Sequence, residues 1–229
     1  MFWRQSQAGR RRAAAAGLLL LGVCAASARA AAAPSAAEVA EKVRAACAGM
    51  TDLSAAFQQT ATNRSLGQVQ EASGQLLLKR PGKMRWEYQR PDPRLYVTDG
   101  KTLWAYNPTD KQVVVQEVEA AFTSRLPLAF LAGDCQLGKT FQVSLLEHAG
   151  TRTAPDTALL DLRPKQVEAG IARMVLEVGR KTGLVEKATL FDAAGNTTVI
   201  ALRDIKLNTG LRDQQFSFSP PAGTTVVKP

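Results

Sequence analysis

Few side chains in this sequence suit covalent or acid–base chemistry. His148 is the single histidine among 229 residues, and it stands two positions before Gly150 at an expected strand end. A Ser-His-Asp arrangement would have to use it, and no nucleophile-elbow pattern accompanies it. A lone histidine in that position is far more often a solvated side chain than a general base. A metal centre needs His, Cys and carboxylates close together. Here Cys24, Cys47 and Cys135 stand apart, with no histidine near them. No glycine-rich loop has the spacing that cradles phosphate. The 20 acidic residues supply carboxylates in many places, but no spacing singles out a pair. The expected class is a binding protein that is not an enzyme and carries neither metal nor cofactor.

The chemistry that remains is non-covalent, and it concentrates between Gly74 and Asn107. Met84, Trp86 and Tyr88 alternate with Lys83, Arg85, Glu87 and Gln89, which places apolar and charged side chains on opposite faces of a strand. Thr102, Trp104 and Tyr106 alternate with Leu103 and Ala105 in the same way. Turns at Pro81-Gly82, Pro91-Asp92-Pro93 and Asp99-Gly100 separate four short strands. The expectation is a twisted antiparallel sheet with one face carrying large amphipathic rings.

The elements around this stretch follow the same signals. Ser35 and Glu38 have capping-box spacing for a helix running to about Gly49. Strands are expected at 54–63, 72–80, 83–90, 94–98, 101–107 and 111–117, then at 140–147, 156–163, 171–179, 184–192 and 197–207. In the last hairpin Met174, Leu176 and Val178 share one face, and Val199, Ala201 and Ile205 are expected to share a face of the final strand. Between the two groups of strands, Phe122, Leu126, Ala129 and Phe130 recur at the helical period, with Pro127 dividing two short helices and Gly133 ending the second. The second helix is apolar on every side and must be covered on two faces, one of which a ligand could occupy. About eleven short antiparallel strands with a few helices set apart describe a mainly β barrel or curved sheet with helices on one side.

The first thirty residues read as a secretory signal. Arg4, Arg10, Arg11 and Arg12 precede an apolar run from Ala13 to Val23, and Ala28-Arg29-Ala30 matches a cleavage signature. The run is too short to span a membrane. Cleavage after Ala30 is expected, with Ala32 and Ala33 as alternatives. It leaves 31–229 as a single domain in the periplasm. A lipidated Cys24 is disfavoured by the preceding Val23. Cleavage removes five Arg and no acids, leaving 24 Lys and Arg against 20 Asp and Glu, a net charge of +4 rather than +9. That is a weak case for nucleic acid. Cys47 and Cys135 would meet an oxidising compartment, so a disulfide is chemically allowed, and two buried free thiols is the other reading.

Four blocks of the sequence closely resemble the LolA family of periplasmic lipoprotein carriers. They are LLLKRPGKMRWEY with its Pro-Asp-Pro turn and VTDGKTLWAYNP, SAAFQQT at Ser54–Thr60, LPLAFLAGD at Leu126–Asp134, and FSFSPPAGTTV at Phe216–Val226. The resemblance implies an incomplete, half-open antiparallel β-barrel of eleven strands, with a helical lid over a hydrophobic cavity. Phe57, Met84, Trp86, Tyr88, Leu128, Phe130 and Leu131 then become candidates for an acyl-binding cavity. By residue type alone they could equally be core filling. Met84 replaces a phenylalanine frequent in relatives. Arg80 would latch the lid by donating to its backbone carbonyls, where the residue alone suggests a solvated strand end. The implied function is a monomeric periplasmic chaperone. It would take the acyl chains of lipoproteins from an inner-membrane ABC transporter to an outer-membrane receptor of the LolB kind. A carrier of another lipid, such as a glycolipid or pigment precursor, and a periplasmic lipid sensor are the alternatives. A Cys47–Cys135 bridge would tie the first helix to the end of another and restrict lid opening.

Overall fold

The computed structural model of the protein describes residues 34–118, 135–146, 156–166 and 170–228. The expected signal with Cys24, the helices over Glu119–Gly133 with Leu128, Phe130 and Leu131, and His148 lie outside the described residues.

Helix α1 covers Ala36–Ala48 and begins with the capping box. The Glu38 N–H donates to the Ser35 hydroxyl at 3.3 Å, and the Ser35 N–H donates to the Glu38 carboxylate at 2.6 Å. Both groups satisfy donors that the first helical turn leaves open. The stripe that α1 buries is narrow: Val39, Val43 and Cys47.

Among the described residues, twelve strands form one sheet. They are β1 (Asp52–Asn63), β2 (Gln68–Lys79), β3 (Lys83–Arg90), β4 (Arg94–Thr98), β5 (Thr102–Asn107), β6 (Gln112–Glu117), β7 (Phe141–Leu145), β8 (Thr157–Pro164), β9 (Arg173–Gly179), β10 (Val185–Phe191), β11 (Thr197–Leu207) and β12 (Thr225–Val227). A short helix α2 (Leu137–Thr140) precedes β7, and a 3-10 turn spans Asp213–Phe216. The strand order is β12-β6-β5-β4-β3-β2-β1-β11-β10-β9-β8-β7. Neighbours are antiparallel except β12, which lies parallel to β6. Among the described residues the sheet has two edges, β12 and β7, and does not close. The mainly β, open-sheet class expected from the sequence is therefore found. The strand beyond the expected eleven is β12, three residues whose pairing with β6 has no local signature.

Turn chemistry sets the hairpins. At the β4–β5 turn, Asp99 accepts hydrogen bonds from the N–H groups of Lys101 and Thr102, both at 2.8 Å, and Gly100 takes a φ of +99° that a Cβ would oppose. A polar knot fixes the start of β1. Asp52, buried, accepts from the Thr209 N–H at 2.8 Å, the Thr209 hydroxyl at 3.0 Å and the Gly210 N–H at 2.9 Å. Burial alone would raise the Asp52 carboxyl, but these bonds and one from the Leu211 N–H outweigh it and lower its pKa. Asn208 donates to the Gly49 carbonyl at 3.1 Å and accepts from the Thr51 N–H at 2.8 Å, so the end of α1, the start of β1 and the end of β11 meet at one point.

Two expected face assignments are corrected. In β11 the buried residues are Ile200 and Leu202, while Val199 and Ala201 point to the other face. Ile205 regains the inner face because a bulge intervenes. Ala56 pairs with Arg203 but Ser54 pairs with Lys206, and Asp204 takes a φ of +52°. One extra residue inverts the alternation. The large rings are also divided. Trp86 pairs with Tyr96, and Tyr96 with Ala105, so Leu103 and Ala105 share the face of Trp86. Trp104 and Tyr106 lie on the opposite face, where Tyr106 meets Phe218 with ring centroids 5.2 Å apart. The carboxy-terminal segment covers that face, and the buried Phe216 anchors it. Strand β2 also begins at Gln68, earlier than expected, because it pairs with β1 along its whole length.

Candidate binding face

Cross-strand pairing arranges the inner face in rungs. The first rung, nearest the end of α1, is Leu53–Leu78–Met84–Thr98–Leu103. The second is Ala55–Leu76–Trp86–Tyr96–Ala105. The third is Phe57–Gly74–Tyr88–Arg94, the fourth Gln59–Ala72, and the fifth Ala61–Gln70. Side chains therefore change from apolar, through aromatic, to polar along the strand direction. Across the other half of the sheet the face stays apolar, with Ile200, Ala188, Leu176 and Leu160 in one rung, all buried. Helix α1 packs onto β7 and β8, and a gap of about 30 Å³ remains where Val43, Cys47 and Met50 face Leu53, Val185 and Leu202.

The second and third rungs hold an aromatic cluster. Phe57 meets Trp86 edge-on at 5.1 Å and Tyr88 edge-on at 5.0 Å between centroids. Trp86 and Tyr88 stack at 6.1 Å, and Tyr96 meets Tyr88 edge-on at 6.1 Å. The edge-on contacts bring positive ring edges to negative faces. Gly74 makes this closeness feasible. A Cβ there would lie 1.8 Å from the Glu87 carbonyl oxygen and 2.9 Å from Phe57 Cε1. Met84 and Trp86 are fully buried, and Tyr88 is partly so. The Tyr88 hydroxyl donates to Gln59 Oε1 at 2.8 Å. Burial pushes its pKa upward, so it stays neutral. Beyond it, Gln59, Ala61, Gln70, Ala72, Arg94 and Tyr96 line a groove of about 620 Å³.

Trp86 carries a further feature. Its indole Nε1 is buried and has no hydrogen-bond partner among the described residues.

Arg80 follows β2 and lies beside the end of α1. Its Nη1 donates to the Cys47 carbonyl oxygen at 2.6 Å. Cys47 is joined to Cys135 by a disulfide with Cα atoms 6.2 Å apart. The same residue thus ends the buried stripe of α1, accepts from Arg80 and is bonded to the chain just before α2. A guanidinium is always charged, so its bond to a helix-end carbonyl is charge-assisted and favoured by the helix dipole.

The structure brings together Phe57, Met84, Trp86 and Tyr88, and it brings Arg80 to Cys47 and Cys135. Residue-type reasoning missed Tyr96, Gln59 and Gly74. Tyr96 could have been found by counting register back through the Pro91-Asp92-Pro93 turn. Gln59 and Gly74 carry no signal apart from the pairing of β1 with β2. Among the described residues, no group of three or more His, Cys, Asp or Glu is placed to hold a metal.

Fold and site together define an open, single-sheet β protein with an apolar, aromatic-lined inner face tied to a covering helix. The chain belongs to the LolA family: the sequence pattern described as "Outer membrane lipoprotein carrier protein LolA" matches residues 48–219. An outer-membrane lipoprotein carrier protein of Chromobacterium violaceum is 36% identical over 194 residues, covering 85% of this chain and 89% of that one. One of Dechloromonas aromatica is 37% identical over 175 residues, covering 76% and 80%. Among solved structures, a LolA superfamily protein of Nitrosomonas europaea aligns with a TM-score of 0.45 at 14% identity, over 81% of this chain and 99% of that one.

Proposed function

We propose that the protein is a periplasmic carrier that holds the acyl chains of lipoproteins on the inner face of its sheet. It receives them from an inner-membrane ABC transporter and delivers them to an outer-membrane receptor. Residues 1–30 direct export and are removed, and the mature single domain acts as a monomer without catalysis. The need for such a carrier is physical. Each buried methylene is worth about 0.8 kcal/mol, so a sixteen-carbon chain resists leaving a membrane by roughly 12 kcal/mol. Free diffusion of the lipid through water is therefore negligible.

The observation that carries this reading is the hydrogen bond from Arg80 to the Cys47 carbonyl, at the end of an apolar face. It is a charged fastening on a helix whose buried stripe is apolar, beside the Lys42 bond to the Arg180 carbonyl and the Asn208 bond to the Gly49 carbonyl. Lipid uptake exchanges the contacts of α1 for contacts with acyl chains, so closing the empty face and binding compete. ATP hydrolysis belongs to the transporter, and release follows from a slightly more apolar acceptor.

The test is release from membranes. Purified protein is incubated with inner-membrane vesicles carrying the transporter, ATP and a labelled lipoprotein. A soluble complex of one carrier and one lipoprotein is the expected product. Failure to solubilise lipoprotein, or recovery of free lipid alone, would overturn the reading.

A further inference from the structure

Trp86 stands where the inner face changes character. On one side of it are Leu53, Leu78 and Met84, and on the other Tyr88, Gln59 and the polar groove. From β3 to β8 the sheet spans six strand intervals of about 4.8 Å, an arc of roughly 29 Å. An acyl chain laid across the strands from Trp86 passes Leu76 and Ala55 in its own rung and then, one rung over, Leu202 beside Phe57, followed by Val185, Val178 and Ala158. Its polar end is left at β3, beside the groove.

A buried donor without an acceptor is unfavourable, and native proteins keep few of them. The indole N–H of Trp86 is such a donor, beside the apolar Leu76 and Ala55 of its rung. Phenylalanine would fill much of that position without the penalty. An acyl lipid is a hydrocarbon with one strong acceptor, the carbonyl oxygen at the root of the chain.

We propose that the Trp86 N–H binds that carbonyl and sets the register of the ligand. The chain then runs across β2, β1 and β11, and the polar head lies in the groove of Gln59, Gln70, Arg94 and Tyr96. This rests on the carrier reading and deepens it: the site recognises ester-linked acyl groups rather than any hydrocarbon. Tyr88, held neutral and hydrogen-bonded to Gln59, marks the start of the head region.

The test compares two lipopeptides of equal chain length, one a dipalmitoyl-glyceryl-cysteine peptide and the other its dihexadecyl-ether analogue, which lacks the carbonyls. The wild-type protein should bind the ester about fivefold to tenfold more tightly, the range one hydrogen bond to a buried donor supplies. Trp86→Phe should bind both equally. In the wild-type protein the Trp86 indole N–H resonance should move downfield with the ester and stay in place with the ether, a readout that does not depend on the variant folding. Equal wild-type affinities, or an ester preference that survives in Trp86→Phe, would overturn the assignment while leaving the carrier reading intact. Binding of neither lipopeptide by the wild-type protein would overturn both.

Discussion

Reduction of the Cys47–Cys135 disulfide should lower stability by an amount that can be worked from chain entropy. The bridge closes a loop with a sequence separation of 88. A loop of that length restricts the unfolded chain by about 15 cal/mol/K, or about 4.6 kcal/mol at 25 °C. For a domain of this size each kcal/mol moves Tm by about 2–4 °C, so the reduced protein should melt roughly 10–15 °C lower. The reductant will need help. Cys47 is 6% exposed and Cys135 1% exposed, so attack on either sulfur requires local opening. Native protein should resist a phosphine reductant for hours and lose the bridge quickly in mild urea. Thermal unfolding of oxidised and reduced, alkylated samples measures the difference. Hydrogen exchange adds a second readout. Without the bridge, the last turn of α1 should exchange faster, because the carbonyl that Arg80 grips is no longer fixed by its own side chain. Two titratable thiols in the oxidised sample, or melting points within 2 °C of each other (about the effect of 1 kcal/mol or less), would refute the reasoning.

Asp52→Ala should cost about 2–3 kcal/mol, since it strips the acceptor from the N–H groups of Thr209 and Gly210; urea unfolding at neutral pH measures this. The folded-state pKa of Asp52 is lowered, so its contribution is fully present above the unfolded value of about 3.9 and is lost as pH falls through the folded pKa. Wild type and Asp52→Ala should therefore converge in stability toward the acid limit, and a constant gap down to pH 2 would count against the role. Gly74→Ala should cost about 3 kcal/mol or more, because the Glu87 carbonyl in the way is backbone and cannot swing aside; soluble yield and Tm report it. Arg80→Met should cost about 1.5–3 kcal/mol, with faster hydrogen exchange in the last turn of α1 and unchanged exchange in β8 and β9. Tyr88→Phe should cost about 1 kcal/mol through the lost bond to Gln59, and a larger loss in lipid affinity than in stability would place Tyr88 against the ligand.

Local features were legible from the chain alone. The Ser35–Glu38 capping box, the Asp99-Gly100 turn and the alternation of Met84, Trp86 and Tyr88 are set by residues a few positions apart, and each appears as read. The mainly β class followed from the summed spacing of such signals, and four motif blocks carried the family. Long-range facts were not legible, because they depend on which strand meets which and in what register. Trp104 and Tyr106 alternate as cleanly as Trp86 and Tyr88, yet only the pairing of β4 with β5 puts them on the opposite face. The extra residue at Asp204 inverts β11 without a glycine to announce it. Nothing local brings Cys47 within 6.2 Å of Cys135, or the Cys47 carbonyl within reach of Arg80. Periodicity assigns a side chain to a face of its own strand. Only the packed sheet decides what that face meets, since the energies that choose among partners come from contacts between residues far apart in sequence.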